Sequence, residues 1–294
     1  RLSLVGSEMC IRDRLELAAE LAADLPLMPC DISKAERGYR LFDEASYGLQ
    51  LPTPQLDAEQ SLDDAVATIG WFLLGSSQRL AEQYRHNGHW RLLVDWLDCL
   101  VELRALLSSL GQAAPRASTS ELRQVLDALL EDWRPRVQAG QQDDTARQEA
   151  PAQFAAELEQ TRWGLFSLNT SRWLLARTWT SARNKRGDRQ GAAALQSWLP
   201  TFFAEEGRDL QLKRYQQQPE DLAEQLPRLE RLLLWLHLAR GTLDIAETDR
   251  LFGELNKLAE LAKRPLSPEE LEARMTQAQI IMSLKPWKTL LKNG

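Results

Sequence analysis

Cysteine and histidine, the residues that most often hold metals or crosslinks, are scarce: three of each in 294 residues. Cys10 falls in an atypical N-terminal segment treated below. Cys30 and Cys99 stand far apart in a chain without an export signal, which favours reduced, packed thiols over a disulfide. His86 and His89 flank Gly88 beside Asn87, and His237 lies elsewhere among leucines. A zinc site needs further ligands and partners that orient them, so the first pair reads as a solvated helix end. His237 reads as a half-buried helix residue. Thirteen prolines and fifteen glycines are few, and they cluster between apolar stretches rather than inside them, which favours helices. No apolar run approaches the roughly 18 residues that cross a bilayer, so a soluble, cytoplasmic protein with no membrane partner is expected. A basic excess is also missing: the net charge of −6 argues against a nucleic-acid partner. It leaves room for an anion site, because a local group of Arg and Lys sets the field that a phosphate meets. P-loop, GxSxG, HExxH and paired CxxC motifs are absent, so no catalytic residue, metal ligand or cofactor is assigned.

What is present is helical. A hydrophobic fraction of 44% and a charged fraction of 27% suit a globular chain long enough to bury a substantial core. Residues 1–14 (RLSLVGSEMCIRDR) show no helical period and no signal-peptide layout, and look like translated sequencing-adaptor read-through. They are expected to be non-native or disordered, with the reading frame truncated at its start. Leu15 to Leu25 reads as a short amphipathic helix ended by Pro26 and Pro29. A Gly- and Pro-bearing loop near residues 46–56 marks a domain boundary. Beyond it, Leu62, Ala65, Val66, Ile69, Phe72, Leu73 and Leu80 form one helical stripe, which Gly88 breaks. A helix over 90–110 ends at Gly111 in the C-cap position. Ser118 with Glu121 predicts a capping box opening a helix to about Val137. A polar loop over 139–150, a long helix over 151–183 and a basic loop over 183–191 follow. Helices are then expected over 192–217, 219–239 and 244–263, with a last one opened by Ser267, Pro268 and Glu270. No strand alternation appears after residue 50, so the fold class is an all-α antiparallel bundle of seven or eight long helices.

Ten tryptophans raise the possibility of base stacking. Trp71, Trp96, Trp163, Trp173, Trp198 and Trp235 lie on or beside apolar stripes, and core packing is the expectation. Acidic pairs such as Asp143–Asp144 and Glu205–Glu206 read as solvated faces. The candidate phosphate-binding residues are basic. Lys34 and Arg37 stand in DISKAERGYR, and Arg116 and Arg123 span a helix start, where free N–H groups favour an anion. Arg228 and Arg231 follow at i, i+3 in LPRLERLLLWL, after Lys213 and Arg214 at the end of the preceding helix.

At Ser33, Lys34, Ala35, Arg37, Gly38 and Tyr39 the chain resembles the end of the CYTH triphosphate-tunnel domain of bacterial two-domain inorganic triphosphatases. Residues 103–126 and 225–244 resemble the CHAD helical domain that follows it in that family, and the likeness spans residues 15 to about 260. The resemblance implies that 15–45 is the C-terminal remnant of an α+β tunnel domain and 56–294 a CHAD-like domain. It implies hydrolysis of triphosphate with a divalent metal such as Mg in the full-length parent, and polyphosphate or triphosphate as partner of the helical half. The missing N-terminal CYTH domain would be its companion. Lys34 would correspond to a tunnel lysine that contacts phosphate and Arg37 to its neighbour. Arg104, Arg116, Arg123 and Arg228 stand where matching CHAD segments carry basic residues. The Glu-x-Glu-x-Lys signature that would hold the metal is absent, so this chain is expected to be inactive by itself. A helical protein-interaction scaffold is the remaining alternative.

Overall fold

The computed structural model describes residues 2–27, 38, 52–181, 183–243 and 247–292. Among them it is an all-α helical bundle of twelve α-helices; the one β-type pairing is an isolated bridge, Ser61 to Ala194. Most of the segment expected to be a tunnel-domain remnant, with Lys34 and Arg37, lies outside the described residues. No helix among them is long and apolar enough to cross a membrane.

The chain forms two compact units. The first gathers Arg1–Pro52, Ala67–Leu107 and Ala114–Arg183; the second gathers Thr53–Val66, Ser108–Ala113 and Asn184–Gly294. In the first, helix α1 (Leu2–Asp24) begins thirteen residues before the expected Leu15, so the backbone of the segment read as aperiodic is helical. Ala19 and Ala22 of α1 are buried, and α1 packs along α6 (Thr161–Ala176). Helix α2 (Leu62–Asn87), whose first turn belongs to the second unit, buries Leu62, Ala65, Val66, Ile69 and Leu73, the stripe its spacing predicts. Gly88 (φ 64°) and Gly111 (φ 54°) occupy the left-handed region on either side of α3 (Trp90–Ser109), where a side chain would be strained.

In the first unit three expected boundaries move; in the second, the helix expected over 192–217 ends at Leu210 and the one expected over 219–239 opens as a 3-10 turn, Pro219–Gln225. Helix α4 (Arg116–Gln142) starts two residues before Ser118, whose Oγ donates to the Pro115 carbonyl at 2.7 Å, so no capping box forms. The polar stretch 139–150 is helical apart from Asp143, which accepts from the Thr145 N–H and caps α5 (Asp144–Leu158). The long helix expected over 151–183 is therefore two, α5 and α6, parted at Glu159 and Gln160.

The core of the first unit is an aromatic cluster. Phe154 meets Tyr84, Trp96 and Trp133 edge-on, with centroids 4.9, 5.0 and 5.2 Å apart, and Trp96 meets Trp163 at 5.6 Å. Edge-to-face pairs of this kind add roughly 0.5–1.5 kcal/mol each beyond area burial. The expectation that tryptophans pack in the core holds for Trp96, Trp163, Trp173, Trp198 and Trp235. Trp71 is the exception at 42% exposure: its helix turns that position outward, one residue before the buried side of the stripe.

In the second unit the expected basic loop contains α7 (Lys185–Gly191), capped by Asn184, whose side chain accepts from the N–H groups of Arg186 and Gly187. Helices α8 (Leu195–Leu210), α9 (Leu226–Ala239), α10 (Thr248–Lys263), α11 (Pro268–Ser283) and α12 (Lys285–Lys292) follow. Ser267 caps α11 by accepting from the Glu270 N–H at 3.2 Å, as the sequence predicts. Arg274 is fully buried on α11. Its guanidinium donates to the carbonyls of Leu261, Arg264 and Pro219 at 3.1, 2.9 and 3.2 Å, closing the C-terminal end of α10.

Candidate anion-binding cleft

The site begins at the end of α8. Gln211 turns into the left-handed region (φ 49°) and stops that helix. Leu212 is buried, which pins the turn and leaves Lys213 on its exposed side. A short 3-10 turn, Arg214–Gln216, follows. The opposite wall comes from the junction of α11 and α12, where Leu284 adopts an extended conformation (ψ 136°) and Pro286 enters α12. Trp287 and Leu291 of α12 lie against Gly207. A Cβ there would stand 3.0 Å from the Trp287 ring and 2.9 Å from Leu291, so the close approach of α8 and α12 depends on the glycine.

Between these walls is a cleft of about 590 Å³ lined by Arg208, Lys213, Arg214, Lys288, Met282, Trp287 and Leu291, among others. None of its described lining residues is acidic. Arg214 is engaged outside the cleft: its Nε donates to Gln218 Oε1 at 2.9 Å and it pairs with Asp221. Lys288 Nζ donates to the Ser283 carbonyl at 3.0 Å and keeps two further donors. Arg208 and Lys213 are exposed and have no side-chain partner among the described residues. Cations at the end of α8 also complement its carbonyl dipole, which accounts for part of their placement.

The other sequence candidates lie elsewhere. Arg228 and Arg231 share Glu206 of α8: Arg231 binds it in fork geometry at 3.0 and 2.8 Å, and Arg228 reaches Asp209 at 2.8 Å. Glu206 is therefore a tie between α8 and α9 rather than a solvated face. In the first unit, Arg104 pairs with Asp127 at 2.8 Å. Arg116 is exposed at the first position of α4; Arg123 is half-buried on the same helix, with its Nε buried and unpartnered. The structure thus brings Lys213 and Arg214 together and adds Arg208 and Lys288, which the sequence reading did not single out.

No group of three or more His, Cys, Asp and Glu among the described residues is placed to hold a metal ion. Cys99 is half-buried, and burial with the neighbouring Glu102, Asp98 and Asp95 pushes its thiol well above the usual range. No protein-family model matches the chain, and no curated protein matches it.

Proposed function

We propose that this chain is a phosphate-polyanion-binding helical module, and that the cleft at the end of α8 is where the anion docks. One observation carries the reading: Arg208, Lys213 and Lys288 face a cleft without an acidic lining residue, and none of the three is held in an ion pair among the described residues. Cations in that state keep their field available, and a multivalent anion gains by contacting several at once. Inorganic polyphosphate or triphosphate is the partner, in keeping with the resemblance to CHAD domains. The described residues do not fit the divalent metal that a triphosphatase would need, because no acidic cluster converges. No hydrolytic step is assigned to this chain, and catalysis belongs to a companion CYTH domain.

Calorimetric titration with long-chain polyphosphate at low salt tests the reading. Heat is expected for the wild type, weakening as salt rises because exposed charges are screened. The triple variant Arg208→Gln, Lys213→Gln, Lys288→Gln should abolish it, while Arg116→Gln with Arg123→Gln should leave it nearly intact. Heat that survives the triple variant would overturn the proposal.

A further inference from the structure

We infer that the cleft selects a soluble phosphate monoester with an apolar body over an inorganic phosphate of equal charge. This rests on the reading of the cleft as an anion site and adds a preference to it: polyphosphate engages the cations alone, while a monoester with a carbon body also engages the apolar lining. The rim and the floor differ in chemistry. Arg208, Lys213 and Lys288 form the rim, while Met282 and Leu291, both half-exposed, form an apolar floor backed by buried Trp287. An inorganic anion would satisfy the rim and leave the floor wet. A ligand carrying carbon beside its charge would cover both.

The charge count is met by one phosphate group at a time, the end of a polyphosphate or the head of a monoester, so the apolar floor is what separates the two. The three rim cations act against the carbonyl ends of α8 and α11, each worth about half a negative charge, which leaves the cleft positive by about two. A phosphate monoester carries roughly −1.5 to −2 at neutral pH. The volume of about 590 Å³ is that of a small-molecule site, since such pockets run from roughly 300 to 1,000 Å³. Gly207 packs directly against Trp287 and Leu291, so α8 and α12 meet at the apolar side of the cleft.

The test is a calorimetric series of methyl, butyl and hexyl phosphate against the whole chain, with inorganic triphosphate as reference. Affinity should rise roughly two- to fourfold per added methylene in the wild type. In the double variant Met282→Ser, Leu291→Ser the rise should flatten, with triphosphate affinity in the same variant as the baseline for the slope and thermal unfolding as the check on folding. A flat series in the wild type, or an undiminished slope in the double variant, overturns the inference. If triphosphate still binds in that case, and the triple rim variant removes it, the anion-module reading stands. Loss of both ligands in the wild type would overturn that reading too. Vesicles carrying phosphatidic acid serve as a last arm: retention of the chain on them, with no slope for the soluble esters, would assign the headgroup to a lipid surface and overturn the soluble source.

Discussion

Both units leave some buried polar atoms unpaired, in the second Gln190 Oε1, Arg228 Nε and Glu270 Oε2, but the first does so chiefly at a cluster of aromatic side chains. In the first, the Tyr84 hydroxyl, the indole N–H groups of Trp96, Trp133 and Trp163, and the hydroxyls of Ser167 and Thr170 are buried without a hydrogen-bond partner. In the second, the Trp235 N–H donates to Ser109 Oγ at 2.9 Å, and Arg274 reaches three backbone carbonyls. The size of the apolar body explains the difference. A buried Trp removes roughly 150–250 Å² from water, worth about 4–6 kcal/mol at ~25 cal/mol per Å². That outweighs the roughly 1–3 kcal/mol lost when its N–H goes unpaired. A guanidinium buried whole, as that of Arg274 is, has no comparable offset and takes partners. Surface cations differ within the second unit: Arg214, Arg228 and Arg231 are held in ion pairs, whereas Arg208 and Lys213, which line the cleft, are in none among the described residues.

The comparison breaks or sharpens first at the buried donors. Arg274→Met strands three carbonyls and should destabilise by about 3–5 kcal/mol in urea unfolding. Trp133→Phe removes a donor that has no partner and should cost under about 2 kcal/mol, mostly for lost volume. Equal effects would mean that the unpaired indole is not tolerated for the reason given.

Ion pairs come next. Glu206→Gln weakens the fork that holds Arg231, whose side chain is only 14% exposed, and should lower stability by about 1–2 kcal/mol. Asp127→Asn removes the partner of Arg104 at a site where the aspartate is 53% exposed, and should lower it by no more than ~1 kcal/mol. A larger loss for Asp127→Asn would reverse the ranking of the two ties.

The smallest effect is expected at Tyr84. Tyr84→Phe should change stability by less than about 1 kcal/mol at neutral pH, because the hydroxyl bonds to nothing. Burial pushes the phenol from its ordinary value near 10 up to about 12. The folded state therefore holds a proton that the unfolded chain releases sooner. Its contribution is complete below pH 10 and is lost as pH rises towards about 12. The phenylalanine variant lacks this term and should lose less stability across that window.

Much of the fold is legible in the sequence, and the reasons are local. The stripe from Leu62 to Leu73, the glycines at 88 and 111, and the Ser267–Pro268–Glu270 start each depend on a few neighbouring residues. Single-residue breaks are harder to read. Asp143 interrupts a run that stays polar on both sides, and α7 is only seven residues long, too short for a period to emerge beneath its basic composition. The site is half legible. Lys213 and Arg214 announce themselves as adjacent cations, but Arg208 and Lys288 join them only through the packing of α8 against α12. Conversely, Arg228 and Arg231 look available in one dimension and are engaged in three, because Glu206 lies one helix back.

Hydrogen exchange with and without polyphosphate tests the central claim most directly, since it compares the two units in one sample. The anion should slow exchange in peptides covering 207–216 and 282–292, and leave those covering 116–123 unchanged. Protection centred on 116–123, or none at 207–216 under conditions where calorimetry records binding, would contradict the assignment of the anion to the cleft beside α8.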